Sequence, residues 1–234
     1  MEYLVIQTCL VVLFAAMVQA TTGFAFGIIL MMFFPLVFSV PESMWIVNVI
    51  NLVTVSAITF QHRRHIVFRL VWIPLGLSIL GNYIGLSNMI GFNRELGIKI
   101  VGAALFGLAM YFLFFSKKVR IEANQWTAAI SGAVSGLMGG FFNMPGPPMV
   151  LYYSVAIKEK EQYIATIQFM FMFSTIYRVF FLVNKISPDP KVYTLVPYAI
   201  GSALVGILLG KYIFNKMSGD WIHKAVYSLM VLFG

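Results

Sequence analysis

Eight apolar runs, at 4–38, 44–60, 66–90, 96–115, 125–157, 162–183, 192–214 and 221–234, fill this chain and leave only short polar or basic loops between them. A helix crosses the hydrocarbon core of a bilayer with about 20 mainly apolar residues, so the runs read as membrane segments. Apolar residues make up 60% of the 234 and charged ones 10%, where soluble domains carry about 45–50% and about 25%. A water-soluble domain is excluded. The pattern predicts an all-α, polytopic membrane protein of about eight membrane segments, with no separate soluble domain. The net charge of +8 comes from short basic clusters between apolar runs, which is how cytoplasmic loops are marked, and no nucleic-acid partner is expected.

The N-terminus runs from Met1-Glu2-Tyr3 straight into apolar sequence. It lacks the positive region of a secretory signal, although Val18-Gln19-Ala20 loosely resembles a cleavage site, and a retained segment is expected. The final run, from Trp221 to Gly234, is too short for a full span and reads as a helix cut short. Cys9, the only cysteine, lies in the first run, so no intrachain disulfide forms and a packing role is expected.

The first and fifth runs exceed 30 residues, more than one straight helix needs at about 1.5 Å per residue. Helix-breaking sequence interrupts each: Thr21-Thr22-Gly23-Phe24-Ala25-Phe26-Gly27 in the first, and Gly139-Gly140-Phe141-Phe142-Asn143-Met144-Pro145-Gly146-Pro147-Pro148 in the fifth. Both are expected to be broken or re-entrant. Similar features recur about 116 to 125 residues apart. Gly23 pairs with Gly139, Pro74 with Pro197, Gly81 and Gly85 with Gly206 and Gly210, and Asn48 and Asn51 stand against Thr166 and Gln168. The chain then divides into two four-segment repeats, 1–120 and 121–234, and the paired glycines read as close-packing positions. The clusters His62-Arg63-Arg64-His65 with Arg69, and Lys117-Lys118 with Arg120, are expected on the cytoplasmic side. Hairpins at the two breaks make the halves inverted, and single crossings make them parallel. The inverted form is favoured, because re-entrant tips meeting near the midplane build a site.

Backbone freed from helical pairing inside a bilayer is tolerated only where protein buries it or a wet cavity receives it. In the fifth run, Asn143 ahead of Pro145, Pro147 and Pro148 reads as a capped helix start. Such a terminus, with free N–H groups and the positive end of the helix dipole, suits an anion, and Thr21, Thr22, Gly23 and Phe26 face it from the first half. A proline kink serving packing alone is the other reading. The central parts of the runs hold no Asp or Glu, so an acidic proton or sodium relay is not expected. Arg178 is the one basic residue with long apolar stretches on both sides. It either holds an anion or snorkels to the headgroups, while Lys99 and Lys211 read as anchors. His62 and His65 lack the further ligands a metal needs. No nucleophile with a base, P-loop or carboxylate pair is present, so neither an enzyme nor a bound metal or cofactor is expected.

The break Thr22-Gly23-Phe24-Ala25-Phe26-Gly27, its partner Ser135-Gly136-Leu137-Met138-Gly139-Gly140 with Pro145-Gly146-Pro147-Pro148, and the Ala165-Thr166 run, set in eight segments and two halves, resemble the sulfite exporter TauE/SafE family of anion permeases. The resemblance covers nearly the whole chain, with Asn143-Met144-Pro145 departing from the commoner glycine-dense form. It implies transport of sulfite, sulfoacetate or related organosulfonates across a prokaryotic plasma (inner) membrane, with a small anion and the lipid bilayer as partners and a homodimer left open. The expected mechanism is alternating access, by uniport or exchange. The anion sits between the breaks, held by half-helix N-termini and by Gln19, Thr21, Thr22, Gly23, Phe26, Asn48, Asn51, Gly139, Asn143, Pro145, Gly146, Thr166, Gln168 and Arg178. An inside-negative potential drives each charge outward by about 2.3 kcal/mol per 100 mV, so export needs no coupled cation. The alternatives are a carrier of another small organic anion with proton coupling, a non-transporting scaffold subunit, and a channel.

Overall fold

The computed structural model describes residues 2–89, 91, 94–110 and 122–214, and the regular structure among them is helical. In chain order the helices are α1 (Glu2–Thr22), α2 (Phe26–Val37), α3 (Val40–His62), α4 (Trp72–Met89), α5 (Arg94–Met110), α6 (Gln125–Phe142), α7 (Gly146–Ala156), α8 (Lys160–Val183) and α9 (Pro190–Phe214). Two short 3-10 turns, Arg63–His65 and Phe68–Leu70, join α3 to α4. The cluster Lys117, Lys118 and Arg120 and the run at 221–234 lie outside the described residues. Among the described residues five helical stretches are long and apolar enough to cross a membrane: Glu2–Thr22, Val40–His65, Phe68–Met89, Lys160–Val183 and Pro190–Tyr212. The first and fifth apolar runs each divide in two, at residues 23–25 and 143–145.

Sequence this apolar carries little periodic contrast, so caps mark where helices begin. The Ser39 hydroxyl accepts from the Glu42 amide and the Glu42 carboxylate accepts from the Ser39 amide, with Pro41 in the first turn of α3. Asn124 and Thr127 exchange the same pair of bonds at α6, at 2.9 and 3.1 Å. Both boxes satisfy amides that a helix start leaves without acceptors.

Glycine sets how closely the helices approach. A Cβ at Gly132 or Gly136 of α6 would meet the backbone of Pro74 or Ser78 in α4, and one at Gly81 or Gly85 would meet the backbone of α6. The α1–α9 pair repeats the device, with Gly206 and Gly210 set against the carbonyls of Leu13 and Met17. Between lipid-facing helices the hydrophobic effect supplies no drive to associate, so such backbone proximity supplies the packing energy.

The order of these contacts gives helix direction. Residues 74, 78 and 85 of α4 meet 132, 136 and 140 of α6, and residues 13 and 17 of α1 meet 206 and 210 of α9, so each pair runs parallel. Asn48 and Asn51 of α3 meet Arg178 and Thr175 of α8, which is antiparallel. Ser78 and Asn82 of α4 meet Ser174 and Arg178 of α8 in parallel order. The rings of Trp45 and Tyr193, near the starts of α3 and α9, lie 5.5 Å apart. Helices α1, α3 and α9 therefore run one way, and α4, α6 and α8 the other. The start of α1 (Leu4, Thr8, Val11) faces the end of α2 (Phe33, Phe34, Phe38), so α2 doubles back along α1. Tyr153, near the end of α7, donates to Leu70 O beside the start of α4. This returns α7 to the face where α6 begins.

Candidate functional site

The first break is built by two left-handed residues, Gly23 at φ 82° and Ala25 at φ 85°, the second of which is unfavourable for a side chain with a Cβ. Two glutamines hold it. Gln19 Nε2 donates to Gln168 Oε1 (3.1 Å), Gln168 Nε2 donates to Gly23 O (2.8 Å), and the Phe26 amide donates to Gln19 Oε1 (3.2 Å). With Phe26 taken, the amides of Gly27 and Ile28 remain without acceptors in their own helix, whose first intrahelical acceptor, Ala25 O, serves Ile29. The Thr21 and Thr22 hydroxyls are turned onto Val18 O, at 2.8 and 2.9 Å.

At the second break, the structure corrects the reading of Asn143 as the cap of the following helix. Asn143 ends α6, in the left-handed conformation at φ 59° with its amide bonded to Gly139 O, and Pro145 precedes α7 without a side-chain cap. It is therefore Asn143, not Gly139, that takes the place Gly23 holds in the first break. Gly139 lies a turn earlier, where a Cβ would meet Arg178 Nη1 at 2.6 Å and Asn82 Oδ1 at 2.9 Å, so its bare backbone makes room for the guanidinium. Pro147 and Pro148 carry no N–H, which leaves the Gly146 amide as the donor of the first turn of α7.

The two breaks touch. A Cβ on Gly27 would collide with the Asn143 carbonyl oxygen, and one on Gly146 would lie 2.9 Å from the Phe24 ring. Between them a cavity of about 20 Å³ is lined by residues 24–28 and 143–146, with Gln19, Asn51, Phe171 and Arg178. That exceeds the about 10–15 Å³ one water requires. The starts of both α2 and α7 open onto it.

Arg178 is 0% exposed, so the snorkelling alternative does not describe it. Its Nε donates to Asn48 Oδ1 (2.8 Å), Nη2 to Thr175 Oγ1 (2.8 Å) and Nη1 to Asn82 Oδ1 (3.5 Å). No acid among the described residues pairs with it. The guanidinium can only donate, and this sets the amides beyond it. Asn48 must turn Oδ1 to Arg178, so its Nδ2 donates to Met44 O (2.8 Å) and to Asn143 Oδ1 (2.9 Å). Asn143 is thereby left with Nδ2 buried, lining the cavity and unpartnered. Arg178, Asn143 Nδ2 and the freed amides make a donor-rich site without a carboxylate.

Of the residues singled out from sequence, Gln19, Phe26, Asn51, Asn143, Pro145, Gly146 and Arg178 line the cavity. Asn48, Gly139, Gly23, Thr21, Thr22 and Gln168 stand behind it and hold the breaks or the guanidinium. Thr166 lies elsewhere, its hydroxyl accepting from the Val67 amide in the α3–α4 connection at 3.0 Å. Sequence reasoning missed Ser78, Asn82, Ser174 and Thr175. Asn82 Nδ2 donates to Ser78 O (2.8 Å) and Ser174 Oγ (3.0 Å), which leaves Oδ1 to Arg178. The available signal was polar residues one helical turn apart, Ser78 with Asn82 and Ser174 with Arg178, inside otherwise apolar helices. Among the described residues no cluster of three or more His, Cys, Asp or Glu could hold a metal.

Half-helices opposed around a buried cation, in a bundle of apolar helices, define a membrane-transporter architecture. The sequence model of the family described as Sulfite exporter TauE/SafE matches residues 8–234, and the chain belongs to that family of membrane transporters. No curated protein and no solved structure matches the chain.

Proposed function

We propose that this protein exports a small sulfur-containing anion, sulfite, sulfoacetate or a related organosulfonate, by alternating access around the cavity between the two breaks. The carrying observation is Arg178: a fully buried guanidinium with neutral partners and no acid beside it among the described residues, next to an unpartnered Asn143 Nδ2. A charge inside a membrane protein that lacks a counter-ion is a functional-site signal, and of the two buried side-chain atoms left unpartnered in the lining, Asn143 Nδ2 is a donor and Asn51 Oδ1 an acceptor. The cavity of about 20 Å³ has room for little more than one water, and it widens as the anion enters. The opposed directions of α1 and α6 support two inverted halves, 1–120 and 121–234, that rock about the site.

Charge on the two faces supports the direction. The α3–α4 connection carries Arg63, Arg64 and Arg69 and is clasped to the start of α8 by His65 and Glu161 at 3.2 Å, with Lys158 and Lys160 alongside. By the bias of cytoplasmic loops towards Lys and Arg, this face looks into the cytoplasm of a prokaryotic cell. The membrane potential then drives an anion outward.

The test is thermal stabilisation of purified protein against sulfite, sulfoacetate, taurine, isethionate, sulfate and chloride. A ligand present at 100 times its Kd stabilises the folded state by about 2.7 kcal/mol. A rise in midpoint with a sulfur anion, lost in Arg178→Gln and reduced in Asn143→Ala, is expected. Equal shifts in wild type and Arg178→Gln would move the site away from this cavity.

A further inference from the structure

We infer that transport at this site is obligatory exchange: the carrier reorients only when loaded, so an anion leaving is matched by a small oxyanion entering as counter-substrate. The inference rests on the anion-carrier reading above and adds the mode of turnover and the second substrate. Alternating access passes through a state closed to both sides, in which the site gives up its bulk water. Arg178 is already fully buried, beside a cavity of about 20 Å³. Its partners Asn48, Thr175 and Asn82 contribute dipoles but no charge. Of the eight acids in the chain, the seven on described residues are Glu2, Glu42, Glu95, Glu122, Glu159, Glu161 and Asp189, all at helix ends or in loops. Glu42 is half-buried and tied to Ser39, and the other six are exposed.

An ion closed away from water without a counter-ion is disfavoured strongly, and a well-placed opposite charge offsets most of the cost. Bound anion supplies that charge, and it also receives the Asn143 Nδ2 that is otherwise unpartnered. The empty carrier has neither. No described acid can take up a proton or cation beside Arg178 to ease the return of the empty form. The counter-substrate must share the exported anion's chemistry, because it uses the same guanidinium and amides. A few-atom oxyanion with a full negative charge fits, and a neutral or cationic solute does not.

The experiment uses the full chain in liposomes loaded with radiolabelled sulfite, with valinomycin and equal potassium on both sides to hold the voltage at zero and protein-free liposomes to set the leak. Efflux into anion-free buffer is expected to be on the order of a hundred-fold slower than efflux into buffer containing sulfite or sulfate. Chloride and gluconate outside are compared in parallel. Equal, protein-dependent efflux with and without an external oxyanion overturns exchange and leaves the anion carrier standing as a uniporter. Folded protein that gives no efflux above the leak in any buffer, from liposomes loaded with labelled sulfite or, in parallel, with labelled sulfoacetate or isethionate, overturns the carrier reading itself, and exchange with it.

Discussion

Arg178 shows how one charged side chain organises uncharged neighbours. Because a guanidinium only donates, it orients Asn48, and Asn48 orients Asn143, so the free donor in the cavity is a consequence of a residue 35 positions further along the chain. Arg178→Lys is therefore not conservative: one ammonium cannot reproduce the planar fork that reaches Asn48, Thr175 and Asn82 together. We expect Arg178→Lys to keep part of the anion-dependent rise in melting midpoint and to lose at least half of the transport rate, and full wild-type rates in the Arg178→Lys variant would show that only the charge matters. Ala25 offers a second test at this scale. An L-residue held in the left-handed region costs roughly 1–2 kcal/mol, while glycine gives back about 0.4–1 kcal/mol through the unfolded chain. Ala25→Gly should raise stability by about 0.5–1 kcal/mol, and Gly23→Ala should lower it by at least as much, because its Cβ would also press on Ile167 at 3.2 Å, both read from melting midpoints in detergent.

At the scale of elements, the glycines sort by what they face. Gly206 meets the Leu13 carbonyl and Gly136 the Ser78 backbone, whereas Gly76 and Gly201 have nothing within 4 Å. Overpacking a tight contact costs about 1–3 kcal/mol, and an unconstrained helical glycine is about 0.8–1.0 kcal/mol worse than alanine. Gly206→Ala and Gly136→Ala should thus lower the melting midpoint, and Gly76→Ala and Gly201→Ala should leave it unchanged or raise it. A uniform response across the four would contradict the close approach of α1 to α9 and of α4 to α6. That Gly81, Gly85, Gly206 and Gly210 sit at close helix contacts was legible from spacing, since small residues four apart are what close helices need. Which helix each pair faces was not legible: α4 reaches α6 and α1 reaches α9, across connections no local pattern encodes.

For the whole molecule, the contact order places the starts of α1, α3 and α9 on one face and those of α4, α6 and α8 on the other. Single cysteines in a Cys9→Ser background test this with a membrane-impermeant maleimide. Glu122→Cys and Lys158→Cys, flanking the second broken helix, should label from the same side as Arg63→Cys, and Glu2→Cys and Lys191→Cys from the opposite side. Labelling of Glu122→Cys and Lys158→Cys from opposite sides would mean that the α6–α7 unit crosses the membrane once.

Composition and run length alone determined that this chain lives in a membrane, that its first and fifth runs must break, and that Arg178 stands apart from every other charge. These are local properties, because bilayer thickness, helix rise and the conformational habits of glycine and proline act within a few residues. Tertiary structure alone decided that Asn143 ends α6 and offers its amide to the cavity, that Gln19 and Gln168 lock the first break, and that Thr166 serves a loop. The turn of the Asn143 side chain, the glutamine lock and the Thr166 contact depend on bonds between residues about 95 to 150 apart, and a polar side chain in an apolar run has no preferred partner until packing supplies one. Burial of Arg178 belongs to the same category. A turn and a half from a helix end it could have reached the headgroups, and what holds it inward is the space left by Gly139 and the acceptors of Asn48, Thr175 and Asn82.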